Sequence, residues 1–174
     1  GLMSSTEGAY IYGPFTSFNT VNSGWATTTA RYIIPTADIL KSGTRGKIKL
    51  ASVAGGAWSF QKCYIGHAAA SGDNYDFDGN QVQVLFGGAA NGTVPTSGGL
   101  TSDEIAFNID KSKNLIISFY FSGSTSPPRY SAGTGYGLYY KAGDDASTTD
   151  ATGYSPSGYN GQQHFVEAII ILPV

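Results

Sequence analysis

Residues 73–80 read DNYDFDGN. Asn74, Asp76 and Asp78 fall on alternate positions and Gly79 follows at once, as at the start of a calcium loop. Hard cations take carboxylate, amide and carbonyl oxygens, so this spacing is where Ca2+ chemistry would begin. An EF-hand loop also needs a bidentate Glu at its twelfth position. Counted from Asn74 that position is Leu85, so the EF-hand reading fails. A looser Ca2+ site on Asn74, Asp76 and Asp78 stays open. A polar turn between strands asks for the same Asn, Asp and Gly and is the favoured expectation, with no cofactor.

Other chemistry is less specified. His67 and His164 lie far apart, and no Cys or Asp stands at zinc-ligand spacing to either. Ser102-Asp103 and His164 have the types of a serine triad but no spacing that singles them out. Asp73, Asp76, Asp78, Asp144, Asp145 and Asp150 sit in loop-like stretches, where solvated acids are the default. Cys63 is the lone cysteine, read as a buried thiol. The expectation is a protein that is not an enzyme.

The aromatics carry more. Sugar rings present CH faces that stack on Trp and Tyr, while Asp, Asn and Gln take the hydroxyls. Both types meet in the loops around Pro127–Tyr130, Tyr136, Asp144–Asp150, Tyr154 and Tyr159–Gln163. The candidate glycan-binding set is Arg129, Tyr130, Tyr136, Asp144, Asp145, Tyr154, Tyr159, Asn160 and Gln162. Competing readings place these tyrosines in a subunit interface or as lids on the core. Trp25 and Trp58 read as core or anchoring residues.

These loops need a rigid frame, and the chain reads as β throughout. Gly46–Val53 alternates through Ile48 and Leu50. Trp58–His67 reads as one strand, with Trp58, Phe60, Lys62 and Tyr64 on one parity. Gln81–Phe86 and Glu104–Ile109 alternate again. Leu115–Phe121 (LIISFYF) is apolar on both parities, which predicts a central strand covered on both faces. Ala9–Tyr12, Arg31–Ile34, Tyr136–Lys141 and Phe165–Leu172 complete the set, with one helical turn at Thr36–Lys41. The predicted fold is all-β, a jelly-roll-like β-sandwich of eight or nine antiparallel strands over residues 31–174. Residues 1–30 read as an aromatic arm rich in Gly, Ser and Thr.

Composition sets the outer bounds. The chain has 174 residues, enough for one domain with a real core. Charged residues make up 13% and the net charge is −2, with no basic block, which argues against nucleic acid. Gly at 24 and Tyr at 12 suit many turns and a contact surface. No apolar run reaches the ~18 residues of a membrane span. The opening GLMSS lacks the basic and apolar regions of a signal peptide.

One family resemblance emerges. Phe86-Gly-Gly88, Thr93-Val-Pro95, Ser102-Asp103 and Leu115–Tyr120 resemble the β-sandwich domain that precedes the catalytic domain in some bacterial SGNH (GDSL-type) hydrolases. Gly46–Leu50 and Tyr140–Asp144 match in order, with Lys where the family carries Arg. Similar modules occur in phage tail-fibre and virion surface proteins. The resemblance covers roughly residues 28–172 and implies a sandwich with a glycan-facing role. The Gly-Asp-Ser nucleophile block and Gly-x-Ser-x-Gly are both absent. The expected function is therefore surface recognition on a virion or bacterial exterior, as a module standing alone or within a larger, non-hydrolase assembly. Expected partners are a cell-surface glycan and other virion or fibre subunits. A homo-oligomer such as a trimer fits both this reading and its alternative, a structural fibre component with aromatic interfaces.

Overall fold

The computed structural model describes residues 8–174. The described chain is all-β and antiparallel, in agreement with the alternating segments. Its strands are β1 (Ala9–Tyr12), β2 (Thr20–Val21), β3 (Thr28–Ile34), β4 (Gly46–Leu50), β5 (Trp58–Phe60), β6 (Lys62–His67), β7 (Val82–Gln83), β8 (Gly92–Val94), β9 (Leu100–Thr101), β10 (Leu115–Phe121), β11 (Pro128–Tyr130), β12 (Gly137–Ala142), β13 (Ser155–Pro156), β14 (Gln163–His164) and β15 (Val166–Ile171). A six-stranded sheet runs β13-β12-β3-β10-β6-β7 and a four-stranded sheet runs β1-β15-β4-β9. Smaller sheets β14-β11-β2 and β5-β8 complete the sandwich.

The fifteen strands exceed the expected eight or nine for two reasons. Short ladders β2, β8, β9, β11, β13 and β14 lie in segments that read as arm or loop. The Trp58–His67 segment is also two strands, not one. Gln61 breaks it: its N–H donates to the Tyr120 carbonyl, and its side-chain oxygen accepts the Ser122 N–H. The side-chain parity flips there. Trp58 and Phe60 before the break and Cys63 and Ile65 after it all enter the core, while Lys62 and Tyr64 do not. Glu104–Ile109 makes only single bridges, Ile105 to Gly46 and Ile109 to Gly43, yet Ile105, Phe107 and Ile109 are buried as their alternation predicts. The helical turn is the 3-10 segment Thr36–Asp38.

The core lies between the two large sheets. Tyr32 and Ile34 of β3, Ile117, Phe119 and Phe121 of β10, and Ile65 of β6 meet Ile48 and Leu50 of β4 and Val166 and Ile169 of β15. Trp58, Phe60, Phe119, Phe121 and Phe165 form a ring cluster with centroids 5.2–6.5 Å apart. Of the expected arm, residues 1–7 lie outside the described residues. The rest is hydrogen-bonded into the sandwich: β1 pairs with β15, β2 pairs with β11, and Trp25 bridges Thr125.

The other face of the six-stranded sheet is also covered. Ile33 and Ile116 pack there under Tyr75, Phe77, Ala151 and Tyr154 from two loops. That covering explains why LIISFYF is apolar on both parities. Gly66 lets it come close, since a Cβ at that position would sit 2.5 Å from the Phe77 ring. At the centre is Arg31, fully buried. Its Nη1 donates to the Tyr75 carbonyl at 2.7 Å, and its Nη2 donates to the carbonyls of Thr148 at 2.6 Å and Asp145 at 3.1 Å. Its guanidinium also lies 4.4 Å from the Phe77 ring centroid and 5.3 Å from that of Tyr154. Burial pushes its pKa below the usual value, opposed by Tyr154, Asp145 and Asp76.

Arg31→Met should keep the apolar bulk but leave these carbonyls unpaired. Urea unfolding is expected to show a loss of about 3 kcal/mol or more, since hydrogen bonds to charged groups contribute ~1.5–3 kcal/mol each. Hydrogen exchange should rise in the 72–80 and 143–154 loops. An unchanged urea midpoint would contradict this role.

Candidate functional site

The acidic loop folds inward onto the sheet. Tyr75 and Phe77, the alternate residues of DNYDFDGN, are buried against the sheet. Asp76 is buried between them, and both its oxygens take backbone donors: Oδ2 accepts the Asp73 N–H at 2.9 Å and Oδ1 the Ala151 N–H at 3.0 Å. Asp78 Oδ1 accepts the Asn80 N–H at 2.9 Å. Asn74 points elsewhere, donating to the Tyr139 hydroxyl at 2.9 Å. Among the described residues no group of three His, Cys, Asp or Glu side chains is gathered as metal ligands. The Asp76 carboxylate ties two loops together.

The candidate glycan residues divide among three places. Asp144 and Asp145 belong to the loop over Arg31. Asp144 pairs with Lys62, while Asp145 accepts the Thr148 hydroxyl at 2.6 Å and lies 3.7 Å from Lys141 Nζ. Tyr154 is buried beside them, 4.7 Å from the Tyr75 ring. Tyr136 is buried on the other face of the six-stranded sheet, in the main core. It stacks on Tyr32 at 5.6 Å and accepts a hydrogen bond from Gln163 Nε2 at 3.0 Å. Burial, then neighbouring Asp38, pushes its hydroxyl pKa up to about 12.

The remaining residues come together. Arg129 on β11 lays its guanidinium 3.6 Å from the Tyr159 ring centroid and donates through Nη1 to Gln162 Oε1 at 2.8 Å. Its Nε donates to the Val21 carbonyl at 3.0 Å. Asn160 Oδ1 accepts the Leu138 N–H at 2.7 Å, which fixes the Tyr159 turn to β12. Tyr130 lies on β11 beside Arg129, in register with Gln163. Beneath them His164 is fully buried. Its Nε2–H donates to the Tyr159 carbonyl at 2.9 Å, and its Nδ1 accepts from Asn22 Nδ2 at 3.0 Å. Burial pushes its pKa down to about 4, so the ring is neutral.

Tyr159 forms one wall of a shallow cleft of about 290 Å3, whose other lining residues are Ser23, Gly24, Trp25, Thr28, Tyr140, Ser157 and Gly158. Tyr140 is 42% exposed and Tyr159 37%, so both offer ring surface to a ligand. Trp25 is mostly covered but shows an edge here, 5.8 Å from the Tyr140 ring at 88°. Tyr140 and Trp25 were outside the candidate set. Tyr140 shares the inward parity of Leu138, and only its place near the sheet margin exposes it. A second, more polar cleft of about 440 Å3 includes His67, Asp78, Phe107 and Asp110. There His67 Nε2 accepts the Asp110 N–H at 3.0 Å, and Phe107 is 6% exposed, so it offers no stacking platform.

The triad residues do not assemble. Ser102 Oγ donates to the Asp103 carbonyl at 2.8 Å and accepts the Ile48 N–H at 3.0 Å, while both His164 nitrogens are taken as above. The Asp103 carboxylate accepts the Gly87 N–H at 2.9 Å and the Gly88 N–H at 2.7 Å. Both glycines have positive φ, at 59° and 81°. The Ser-Asp segment therefore braces the Phe-Gly-Gly turn. No protein-family model matches the chain, and no curated protein matches it.

Two outcomes are expected. Asp76→Asn loses one of the two side-chain acceptors for backbone N–H groups and should cost about 1–3 kcal/mol in urea, equally with calcium or EDTA. A calcium-dependent loss would contradict the turn assignment. For His164, the folded pKa lies below the ordinary value of about 6.5. The unfolded chain therefore binds the extra proton, and stability is full above pH ~6.5 and falls as pH drops towards 4. The loss should approach roughly 3 kcal/mol. His164→Gln should flatten that part of the pH–stability curve, and an unaltered curve would contradict it.

Proposed function

We propose that this chain is a non-catalytic surface-recognition module that binds carbohydrate. The observation that carries this reading is the cleft of Trp25, Tyr140 and Tyr159 with the hydroxyls of Ser23, Thr28 and Ser157 beside it. Stacking rings with nearby polar groups suit the alternating CH and OH surface of a sugar. Its openness fits a glycan chain that runs across it. The resemblance to the accessory domain of SGNH hydrolases and to phage tail-fibre modules points the same way. With it goes a proposed place on a virion or bacterial exterior.

A titration of intrinsic fluorescence with a panel of oligosaccharides tests this. Trp58 is 1% exposed, so a saturable change would report Trp25. Tyr140→Ala should weaken binding about tenfold or more, equivalent to ~1.4 kcal/mol. No saturable change with any sugar, or full affinity in the variant, would contradict the proposal.

A second reading, a fibre subunit, draws on a different surface. Tyr10 is 39% and Leu40 64% exposed, and the Leu40 N–H donates to the Ile11 carbonyl, so both lie beside the edge strand β1. Under that reading the chain is a homo-oligomer by light scattering, and Leu40→Asp releases monomer. A wild-type monomer at micromolar concentration would remove it.

A further inference from the structure

We infer that the cleft selects acidic sugars, whose carboxylate is drawn to Arg129. This rests on the carbohydrate-binding reading above. The cleft lining contains Ser, Thr, Gly, Tyr and Trp, and no carboxylate. A neutral-sugar site of the expected kind would supply Asp or Glu to accept hydroxyl hydrogens. The acids expected for that task, Asp144 and Asp145, are engaged over Arg31 and with Lys62 and Lys141. Behind the Tyr159 wall of the cleft stands a cation, Arg129, which is not itself a lining residue.

Arg129 differs from the other two arginines. Arg45 pairs with Glu104, and Arg31 is buried under carbonyls. Among the described residues no carboxylate lies within ion-pair distance of Arg129. Its hydrogen-bond partners are neutral, the Val21 carbonyl and Gln162, so its charge is not cancelled. Those bonds use Nε and Nη1 and leave Nη2 without an acceptor among the described residues. Stacking at 3.6 Å fixes the charge against the ring that forms the cleft wall. A guanidinium so held sets a fixed positive charge beside the wall, which favours a carboxylate in the cleft, in a chain whose net charge is −2.

The test compares matched pairs by calorimetry: trigalacturonate with its carboxyl-reduced form, and sialyllactose with lactose. The expected result is at least one acidic member bound tenfold or more tighter than its neutral partner, with the ratio shrinking as salt rises. Gln162→Glu would place a carboxylate on Arg129 without removing its packing, and should abolish that ratio. Arg129→Gln should do the same, and Arg129→Lys should restore part of it. Equal binding within every pair, or a ratio that survives Gln162→Glu, overturns the acidic preference and leaves the carbohydrate reading standing. Binding of none of these sugars, with no fluorescence change across the wider panel, overturns both.

Discussion

A charged guanidinium sits under the loops of the six-stranded sheet, and its burial constrains everything on that side. Taking such a group out of water is costly unless each donor meets an acceptor. Through Nη1 and Nη2 Arg31 meets carbonyls of Tyr75, Asp145 and Thr148, which come from two loops far apart in sequence, while its Nε–H meets no acceptor among the described residues. The loops must therefore hold their backbone in one place. Asp76 completes the arrangement by accepting N–H groups from both of them, Asp73 and Ala151. Tyr75, Phe77 and Tyr154 fill the space left around the charge.

This use of acids and aromatics has a consequence for recognition. The residues that look most like a binding loop, 73–80 and 144–154, are drawn into a structural lid. The surface proposed for a ligand lies at Tyr140 and Tyr159, whose rings stay exposed because the sheet ends, with the mostly covered Trp25 beside them. Buried His164 holds the Tyr159 carbonyl, Asn160 ties the same turn to β12, and Arg129 braces the ring. These contacts hold the wall in place before any ligand arrives, which lowers the ordering cost of binding.

The fold was largely legible because alternation is a direct imprint of a half-buried sheet. LIISFYF announced its two covered faces. Trp58–His67 misled because a break at Gln61 reverses parity, and nothing in the residue types marks it. β11 hides behind Pro127 and Pro128 and its shortness. The site was less legible. Tyr136 and Tyr154 have polar neighbours in sequence, yet burial depends on contacts with distant segments such as Tyr32 and Tyr75. Tyr140 lies in a strand pattern, and sequence does not say where a sheet stops. Arg31 in RYII reads as an ordinary polar position, because the loops that cover it are 44 and more residues away.

In the proposed function recognition lies at the aromatic cleft, and DNYDFDGN belongs to the lid over Arg31. The most direct test is a glycan-array experiment run once with calcium and once with EDTA. The account predicts the same bound glycans at the same strength in both. Binding that needs calcium would put a metal at Asp76 or Asp78 and contradict it, and binding in neither would remove the carbohydrate reading.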